Sequence, residues 1–469
     1  MKNKFYITTT LPYVNAEPHI GFALEIIEAD VLARFHRSMD KEVFFNTGTD
    51  EHGLKIFRKA EELGVEVQKY CDDNAETFAK LKDALNLSFD NFIRTTGKQH
   101  IQAAQEFWKK CENSGDIYKK NYKVKYCVGC ELEKTDSELI NGKCPIHPGM
   151  EIEIIEEENY FFRFSKYQKQ LLELYEKNPK FVLPKKRMNE IKKFVEGGLE
   201  DFSISRLKSK MPWGMEVPGD SDQVIYVWFD ALVNYISAVG WPTNMEKFER
   251  WWPVVQLAGK DNLRQQSAMW PAMLMSAGIA PSKQIFIHGF IGVNGQKMSK
   301  SLGNVISPFD MIEKFGIDGT RYLLLSFGNF GEDIDVTWEK FTEKYNADLA
   351  NGLGNLVSRI IKLSADVEYE TNQSAMNRGF AKLINAMEMG RALEYVWNIV
   401  RDDNKYIEDN KPWELAKSDE VKFKSVMQKL FIDLNLISEL LLLFLPETAE
   451  KIKKALKTKE VKPLFQRIK

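Results

Sequence analysis

Apolar residues fall into two rhythms along the chain. Phe5-Tyr6-Ile7-Thr8 is a short aromatic and β-branched run, followed by Pro12, Asn15 and Pro18, and reads as a buried strand entering a loop. From Ile20 onward Leu24, Ile27, Val31 and Phe35 recur at three- to four-residue spacing with polar residues between them, which predicts a helix. Strand-like runs return at Val224-Ile225-Tyr226-Val227, Val254-Val255-Gln256-Leu257 and Ile285-Phe286-Ile287, with helical stretches between. Buried strands alternating with helices predict an α/β fold built on a parallel sheet with helices on both faces. After about Tyr345 no strand signal remains, and four or five amphipathic helices predict a C-terminal α-helical bundle.

Between the two α/β stretches, residues 116–199 differ in character: they begin near a Lys/Tyr-rich run (YKKNYKVKY) and hold three of the five cysteines. This segment reads as an insertion. The expected organisation is therefore 1–115 and 200–295 as two halves of one α/β domain, 116–199 inserted between them, 296–345 as a loop and connecting region, and 346–469 as the bundle. A length of 469 residues fits about three domains at roughly 150 residues each.

Charge narrows the choice of partners. Lys+Arg is 65 and Asp+Glu is 67, so a nucleic-acid ligand must be held by a local basic patch rather than by net charge. The last 19 residues supply eight Lys/Arg against Glu460 alone, a run that is equally well a solvated surface. The N-terminus has no uninterrupted apolar region of the secretory kind, and the apolar stretch Leu440 to Leu445 falls far short of the roughly 20 residues that cross a bilayer. Five cysteines in a chain this long do not make a disulfide scaffold. The expectation is a soluble, cytoplasmic protein.

Cys127-Val128-Gly129-Cys130 followed by Cys144-Pro145-Ile146-His147 has the spacing of a tetrahedral zinc knuckle. Thiolate and imidazole suit Zn²⁺, and four protein ligands make a closed, structural site. The alternatives are four unrelated buried residues or a redox pair. Cys71 and Cys111 lack such partners and read as core thiols.

Two segments carry signals for phosphate. Pro18-His19-Ile20-Gly21 lies where the first loop enters its helix, an end that presents free N–H groups and a positive dipole. Alone the tetrapeptide is a weak signal, and a satisfied structural histidine is the more common case. Lys297-Met298-Ser299-Lys300-Ser301, between Asn294-Gly295 and Leu302-Gly303-Asn304, makes a cationic loop suited to neutralising a leaving pyrophosphate. A lysine pair by itself is more often plain surface. No P-loop motif is present in the sequence.

Taken together, His19-Ile20-Gly21 and KMSKS resemble the signature pair of class I aminoacyl-tRNA synthetases. TLPYVNAEPHIG, NTGTDEHG, the knuckle, VIYVWFDALVNY, GKD and HGFIGVNGQKMSKSLGN narrow the resemblance to bacterial-type methionyl-tRNA synthetases with a single zinc knuckle, from about Phe5 to at least Trp413. The resemblance implies a Rossmann-like catalytic domain that activates L-methionine with ATP and Mg²⁺ and then charges tRNA(Met), initiator and elongator alike. It implies that His19 and Gly21 hold ATP, that Gly259 and Asp261 lie near the adenosine, and that Lys297 and Lys300 steady the phosphates, with His19 and the two lysines catalytic. Leu11, Tyr13, Asp50, Trp228, Ala231 and Tyr235 correspond to the methionine pocket, Asp50 facing the substrate ammonium. Without the resemblance, Trp228 and Tyr235 read as plain core.

The sequence departs from the family pattern at Phe22, where a second histidine is usual, and at Asn262 and Gln266, where an apolar residue and a histidine normally flank the methionine side chain. In the bundle, Asn355, Arg359 and Trp413 match anticodon-reading positions, with Trp413 offering a stacking face for an unpaired base. Residues 346–469 carry 20 Lys/Arg against 18 Asp/Glu, so attraction for phosphate falls to the terminal lysine run. No further dimerising domain follows the bundle, which predicts a monomer. Three rivals stand beside this reading. Synthetases for leucine, isoleucine or valine need a longer editing insertion. A silent tRNA-binding paralogue is favoured only by Phe22, and a zinc-dependent nucleic-acid binder leaves KMSKS unexplained.

Overall fold

The computed structural model describes residues 3–298, 303–363, 378–460 and 462–469. The chain forms two compact units, one of Met1–Glu17, Lys41–Lys80 and Phe89–Ile287, the other of Pro18–Asp40, Leu81–Ser88 and His288–Lys469.

The first unit is built on a six-stranded sheet. Its order is Asn91–Arg94, Glu42–Thr49, Lys4–Thr8, Val255–Gly259, Gln284–His288 and Val182–Leu183. Lys4–Thr8 runs parallel to Glu42–Thr49 on one side (Phe5 opposite Val43) and to Val255–Gly259 on the other (Ile7 opposite Val255). The chain thus builds outward on one side of this first strand and later returns to build on its other side, the arrangement that opens a crevice at the carboxyl ends of the strands. The aromatic residues Phe107, Trp108, Phe229 and Trp270 pack beside the sheet, with ring centroids 5.4 to 5.7 Å apart. Val182–Leu183 belongs to this sheet although it lies within the span read as an insertion.

One strand reading needs correction. Val224 and Ile225 end the strand Asp220–Ile225, which pairs antiparallel with Glu216–Val217 and Ser205–Leu207 in a separate small sheet, and the helix Val227–Ala231 follows at once. A four-residue apolar run has no period of its own, so a strand end and a helix start read alike. The knuckle segment is carried on a long antiparallel hairpin, Ile117–Cys127 with Glu153–Phe162.

In the second unit the helix Ile20–Ser38 packs against the helix Pro308–Ser326. Arg321 on the latter is wholly buried. It pairs with Asp30 at 2.8 Å and donates to the carbonyls of Leu85 and Phe444, tying three stretches of chain together. Burial works against the Asp30 charge, but Arg321 and then Arg34 outweigh it and hold this carboxyl below its usual range. A small sheet joins Ile291–Val293 to Gln296–Lys297 and Ile334–Val336. From Tyr345 on, a π-helical stretch Tyr345–Gly354 runs into the first of six described α-helices: Asn355–Leu363, Arg378–Asn385, Met389–Asn410, Pro412–Ser418, Glu420–Leu441 and Pro446–Thr458. The pattern predicted four or five, since Lys411 in a left-handed conformation and Pro412 separate a short helix from its long neighbour. Among the described residues no helix is long and apolar enough to cross a membrane.

Candidate functional site

Three neighbouring strands of the first unit deliver their carboxyl ends, and the loops that follow, to one place. The loop after Lys4–Thr8 carries Leu11 and Tyr13, Glu42–Thr49 runs into Asp50, and Val255–Gly259 runs into Asp261 and Asn262. The first two loops are locked by main-chain bonds, Asp50 N–H to Pro12 O at 3.0 Å and Val14 N–H to Asp50 O at 3.3 Å. The Trp228 indole stands edge-on to the Tyr13 ring, centroids 6.3 Å apart, and its Nε1 donates to Glu131 O at 3.2 Å.

Asp50 is buried, and Thr95 Oγ1 donates to it at 3.4 Å. Burial, and after it the neighbouring Asp230 carboxylate, push Asp50 well above its usual range, so the site is short of positive charge. The Tyr13 hydroxyl is also buried and has no hydrogen-bond partner among the described residues. Farther in, Gln266 lies on the π-helical turn Gln265–Met269, a local widening of the helix often found at functional sites. Its Nε2 donates to the Tyr235 hydroxyl at 2.7 Å and its Oε1 accepts from Gln256 Nε2 at 2.9 Å. Ala231, four residues before Tyr235, is buried, while Asn262 is half-buried and donates to Asp261 at 3.4 Å.

Several contributors were missed in the sequence reading. Asp230 is fully buried and takes His52 Nδ1 on one oxygen at 2.6 Å and His100 Nε2 on the other at 2.7 Å. Burial opposes its charge, but the two imidazoles prevail and bring it down to about 2. Glu131, in a left-handed turn directly after Cys130, accepts from the Tyr126 hydroxyl and from the Lys55 N–H. His52 and Asp230 stand within the strings NTGTDEHG and VIYVWFDALVNY; what no string shows is that they meet across 178 residues.

In the second unit, His19 caps the helix Ile20–Ser38. Its Nδ1 accepts the Gly21 N–H at 3.0 Å, so in the neutral ring the proton sits on Nε2 and that atom is the donor. A Cβ at Gly21 would lie 2.8 Å from His19 Cε1, so a larger residue there would displace the ring. Lys297 ends a short strand, with its ammonium 4.9 Å from the centre of the Phe290 ring. Lys300 lies outside the described residues. In the helical part, Asn355 begins the helix that carries Arg359, and the Arg359 guanidinium stands 5.7 Å from the centre of the Trp413 ring and 2.8 Å from Glu408 Oε1. Trp413 is 39% exposed, well above most tryptophans of the chain.

The knuckle residues converge. Ligand atoms of Cys127, Cys130, Cys144 and His147 all lie within 4.8 Å of one another. Cys130 Sγ is 3.2 Å from His147 Nδ1 and 3.5 Å from Cys144 Sγ, and Cys127 Sγ is 3.8 Å from the same Nδ1. Ligands about 2.0–2.3 Å from a tetrahedral zinc stand roughly 3.5–3.8 Å from each other, so the donor set and its spacing fit Zn²⁺. A Cβ at Gly129 would fall 2.6 Å from His147 Cγ, which explains the glycine.

Comparison with known proteins agrees with this geometry. Residues 5–151 and 138–361 match the family model "tRNA synthetases class I (M)". The chain is 42% identical to the methionine–tRNA ligase of Thermotoga maritima, over 96% of this chain and 74% of that one. It is 39% identical to the methionine–tRNA ligase of Thermosynechococcus vestitus, over 96% and 90%. The solved Mycobacterium tuberculosis methionyl-tRNA synthetase in complex with methionyl-adenylate superposes with a TM-score of 0.89 at 39% identity, covering 97% of this chain and 93% of that one. With its parallel sheet, its cysteine knuckle and near-full-length matches of this strength, the chain belongs to the methionine–tRNA ligase family of class I tRNA synthetases.

Proposed function

We propose the following division of labour for the methionine–tRNA ligase reaction in this chain. L-Methionine and ATP give methionyl-adenylate and pyrophosphate, and the methionyl group then passes to the 3′-terminal adenosine of tRNA(Met), initiator or elongator. The observation that carries the assignment is Asp50, a buried carboxylate short of positive charge at the ends of three adjacent parallel strands. A substrate ammonium supplies that charge. Leu11, Tyr13, Trp228, Ala231 and Tyr235 enclose the side chain, where aromatic edges suit a polarisable thioether. Asn262 borders the same pocket, and Gln266 takes the place of the family histidine beside the sulfur.

The methionine carboxylate is already ionised at neutral pH, so activation needs no general base. One of its oxygens attacks the α-phosphorus, the bond to the bridging oxygen breaks, and pyrophosphate leaves. The demand is for alignment and charge neutralisation. His19 Nε2–H donates to a phosphate oxygen, Gly21 leaves room for the nucleotide, and Gly259 and Asp261 meet the adenosine. Lys297 and Lys300 offset the charge of the departing pyrophosphate, with Mg²⁺ on the phosphates. In the second step the terminal ribose hydroxyl attacks the methionyl carbonyl and AMP leaves.

Cys127, Cys130, Cys144 and His147 hold Zn²⁺ structurally, clamping the loop at the end of its hairpin. Asn355, Arg359 and Trp413 receive the anticodon. The catalytic halves are 1–115 and 200–295, with the knuckle segment 116–199 between them, 296–345 carrying KMSKS, and 346–469 reading tRNA. The protein acts in the cytoplasm, where its five cysteines form no disulfide and Cys71 and Cys111 stay reduced.

The test is ATP–pyrophosphate exchange without tRNA, run with each of the twenty amino acids on zinc-loaded protein. Exchange with methionine alone is expected. Exchange with a different amino acid would overturn the pocket assignment, and no exchange at all would overturn the activity.

A further inference from the structure

Asp50 follows directly on a parallel strand whose neighbour ends beside it. Thr49 pairs with Arg94 across the strands Glu42–Thr49 and Asn91–Arg94, and the Thr95 N–H continues the ladder to Thr49 O at 3.2 Å. Past that bond side chains take over. Thr95 Oγ1 accepts the Glu51 N–H at 2.9 Å, which leaves its single proton for Asp50 Oδ1, 3.4 Å away. Both Thr95 and Asp50 are buried. A bond of 3.4 Å is long, and contacts of this kind tighten when a substrate is bound.

Glu51 is the anchor of this joint. Its carboxylate is buried, and Oε1 accepts from Thr49 Oγ1 and from Arg94 Nε, each at 2.6 Å. Oε2 accepts from Arg94 Nη2 at 2.8 Å and from Thr96 Oγ1 at 2.5 Å. Trp213 Nε1 donates to the Glu51 carbonyl oxygen at 2.6 Å. Arg94 Nη2 also reaches Asp72 Oδ1 at 2.5 Å, on the helix Val67–Ala79. With the N–H, the carbonyl and both carboxylate oxygens of Glu51 committed, the peptide joining it to Asp50 has one position. The same contacts sort the charges. Arg94 pairs with Glu51, and His52 and His100 bond to Asp230, so Asp50 is left for a cation from outside.

We propose that Arg94 and Thr95 are positioning residues for the substrate ammonium. Thr95 aims the Asp50 carboxylate, and Arg94, acting through Glu51, fixes the main chain that bears it. The inference rests on the reading of Asp50 as the ammonium's partner and names what holds that partner in place. A misplacement of about 1 Å at a reacting or binding group can cost roughly 100-fold, so a carboxylate at the end of a strand needs such a clamp. The planar guanidinium grips both Glu51 oxygens at once, which the point charge of a lysine cannot do.

The experiment is ATP–pyrophosphate exchange on the full chain, with methionine and ATP varied separately. Thr95→Val keeps the shape but removes the proton aimed at Asp50 and the acceptor of the Glu51 N–H. It should raise KM for methionine by roughly tenfold and leave KM for ATP within about twofold. Thr95→Ser, which keeps the hydroxyl, should restore KM to within about twofold of the unmodified protein. Arg94→Lys should raise KM for methionine by about fivefold, again without moving KM for ATP. Its side chain is 32% exposed, so this variant carries the test if Thr95→Val does not fold. Asp50→Asn separates the two readings. An unchanged KM for methionine in Asp50→Asn would overturn the ammonium assignment and this inference with it. A raised KM there, with unchanged values in Thr95→Val and Arg94→Lys, would overturn the clamp alone. Equal rises in both KM values, or no rescue by serine, would make the segment structural and also overturn it.

Discussion

The side-chain amide of Gln266 donates to the Tyr235 hydroxyl at 2.7 Å, and Gln256 holds its other end at 2.9 Å. The amide therefore has one orientation, set before substrate arrives. Gln266→Leu keeps approximate volume but removes the donor to the buried Tyr235 hydroxyl and the acceptor of the Gln256 amide, a cost of about 1–3 kcal/mol. We expect KM for methionine to rise by roughly 5- to 150-fold with kcat less affected, measured by ATP–pyrophosphate exchange. An unchanged KM would show that the triad is only packing.

Asp230 predicts a window of acid sensitivity. Its folded pKa of about 2 lies below the ordinary value of 3.8, so it stabilises the fold fully above about pH 4. That contribution, about 2 kcal/mol, fades as pH falls from 4 toward 2. In Asp230→Asn this part of the pH dependence should vanish, while stability at pH 7 drops by about 3–5 kcal/mol because two buried histidines lose their carboxylate. Urea denaturation at pH 7 and pH 3 separates the two effects.

The knuckle is expected to hold about one zinc per chain by elemental analysis. Cys130→Ser should lower occupancy, and removal of the metal by a chelator should open residues 127–147 to protease while the parallel sheet persists. A protein free of zinc and equally resistant to protease would contradict the assignment.

Trp413 and Arg359 form a cation–aromatic pair 5.7 Å apart. Trp413→Ala removes a stacking face worth about 1–3 kcal/mol per base. Aminoacylation of tRNA(Met) should fall by roughly 5- to 150-fold in kcat/KM, with tRNA-independent exchange unchanged. Equal loss of both would make the tryptophan structural.

Lys297 separates binding from chemistry. Lys297→Ala should reduce exchange by about 100-fold or more, with tRNA affinity nearly intact, because one fixed charge on the leaving group is removed. Retained exchange would dismiss its role.

What the sequence disclosed followed from how local each signal was. The strand at Phe5–Thr8, the helix from Ile20 and the knuckle are contiguous patterns and were legible. Glu42–Thr49 was not, because after Phe45 its buried part is Asn46-Thr47-Gly48-Thr49, without an apolar side chain where the strand meets the site. Val224–Val227 misled because four apolar residues carry no period. Asp230 with His52 and His100, and Gln256 with Gln266, are pairings made by the fold, so their residues were visible in the sequence but their partnership was not.

The register of Ile7 opposite Val255 has a consequence for synthesis. At about 5–20 residues per second, the ribosome needs roughly 12–50 s after making the first strand before its second neighbour exists. Throughout that interval one edge of the strand has no ladder, the condition in which nascent chains pair wrongly with each other. Its other edge can be covered much sooner, by Glu42–Thr49. The order of translation thus leaves an open-sided half-sheet as the species that a nascent-chain chaperone would meet, and the central seam closes only once more than half the chain has emerged.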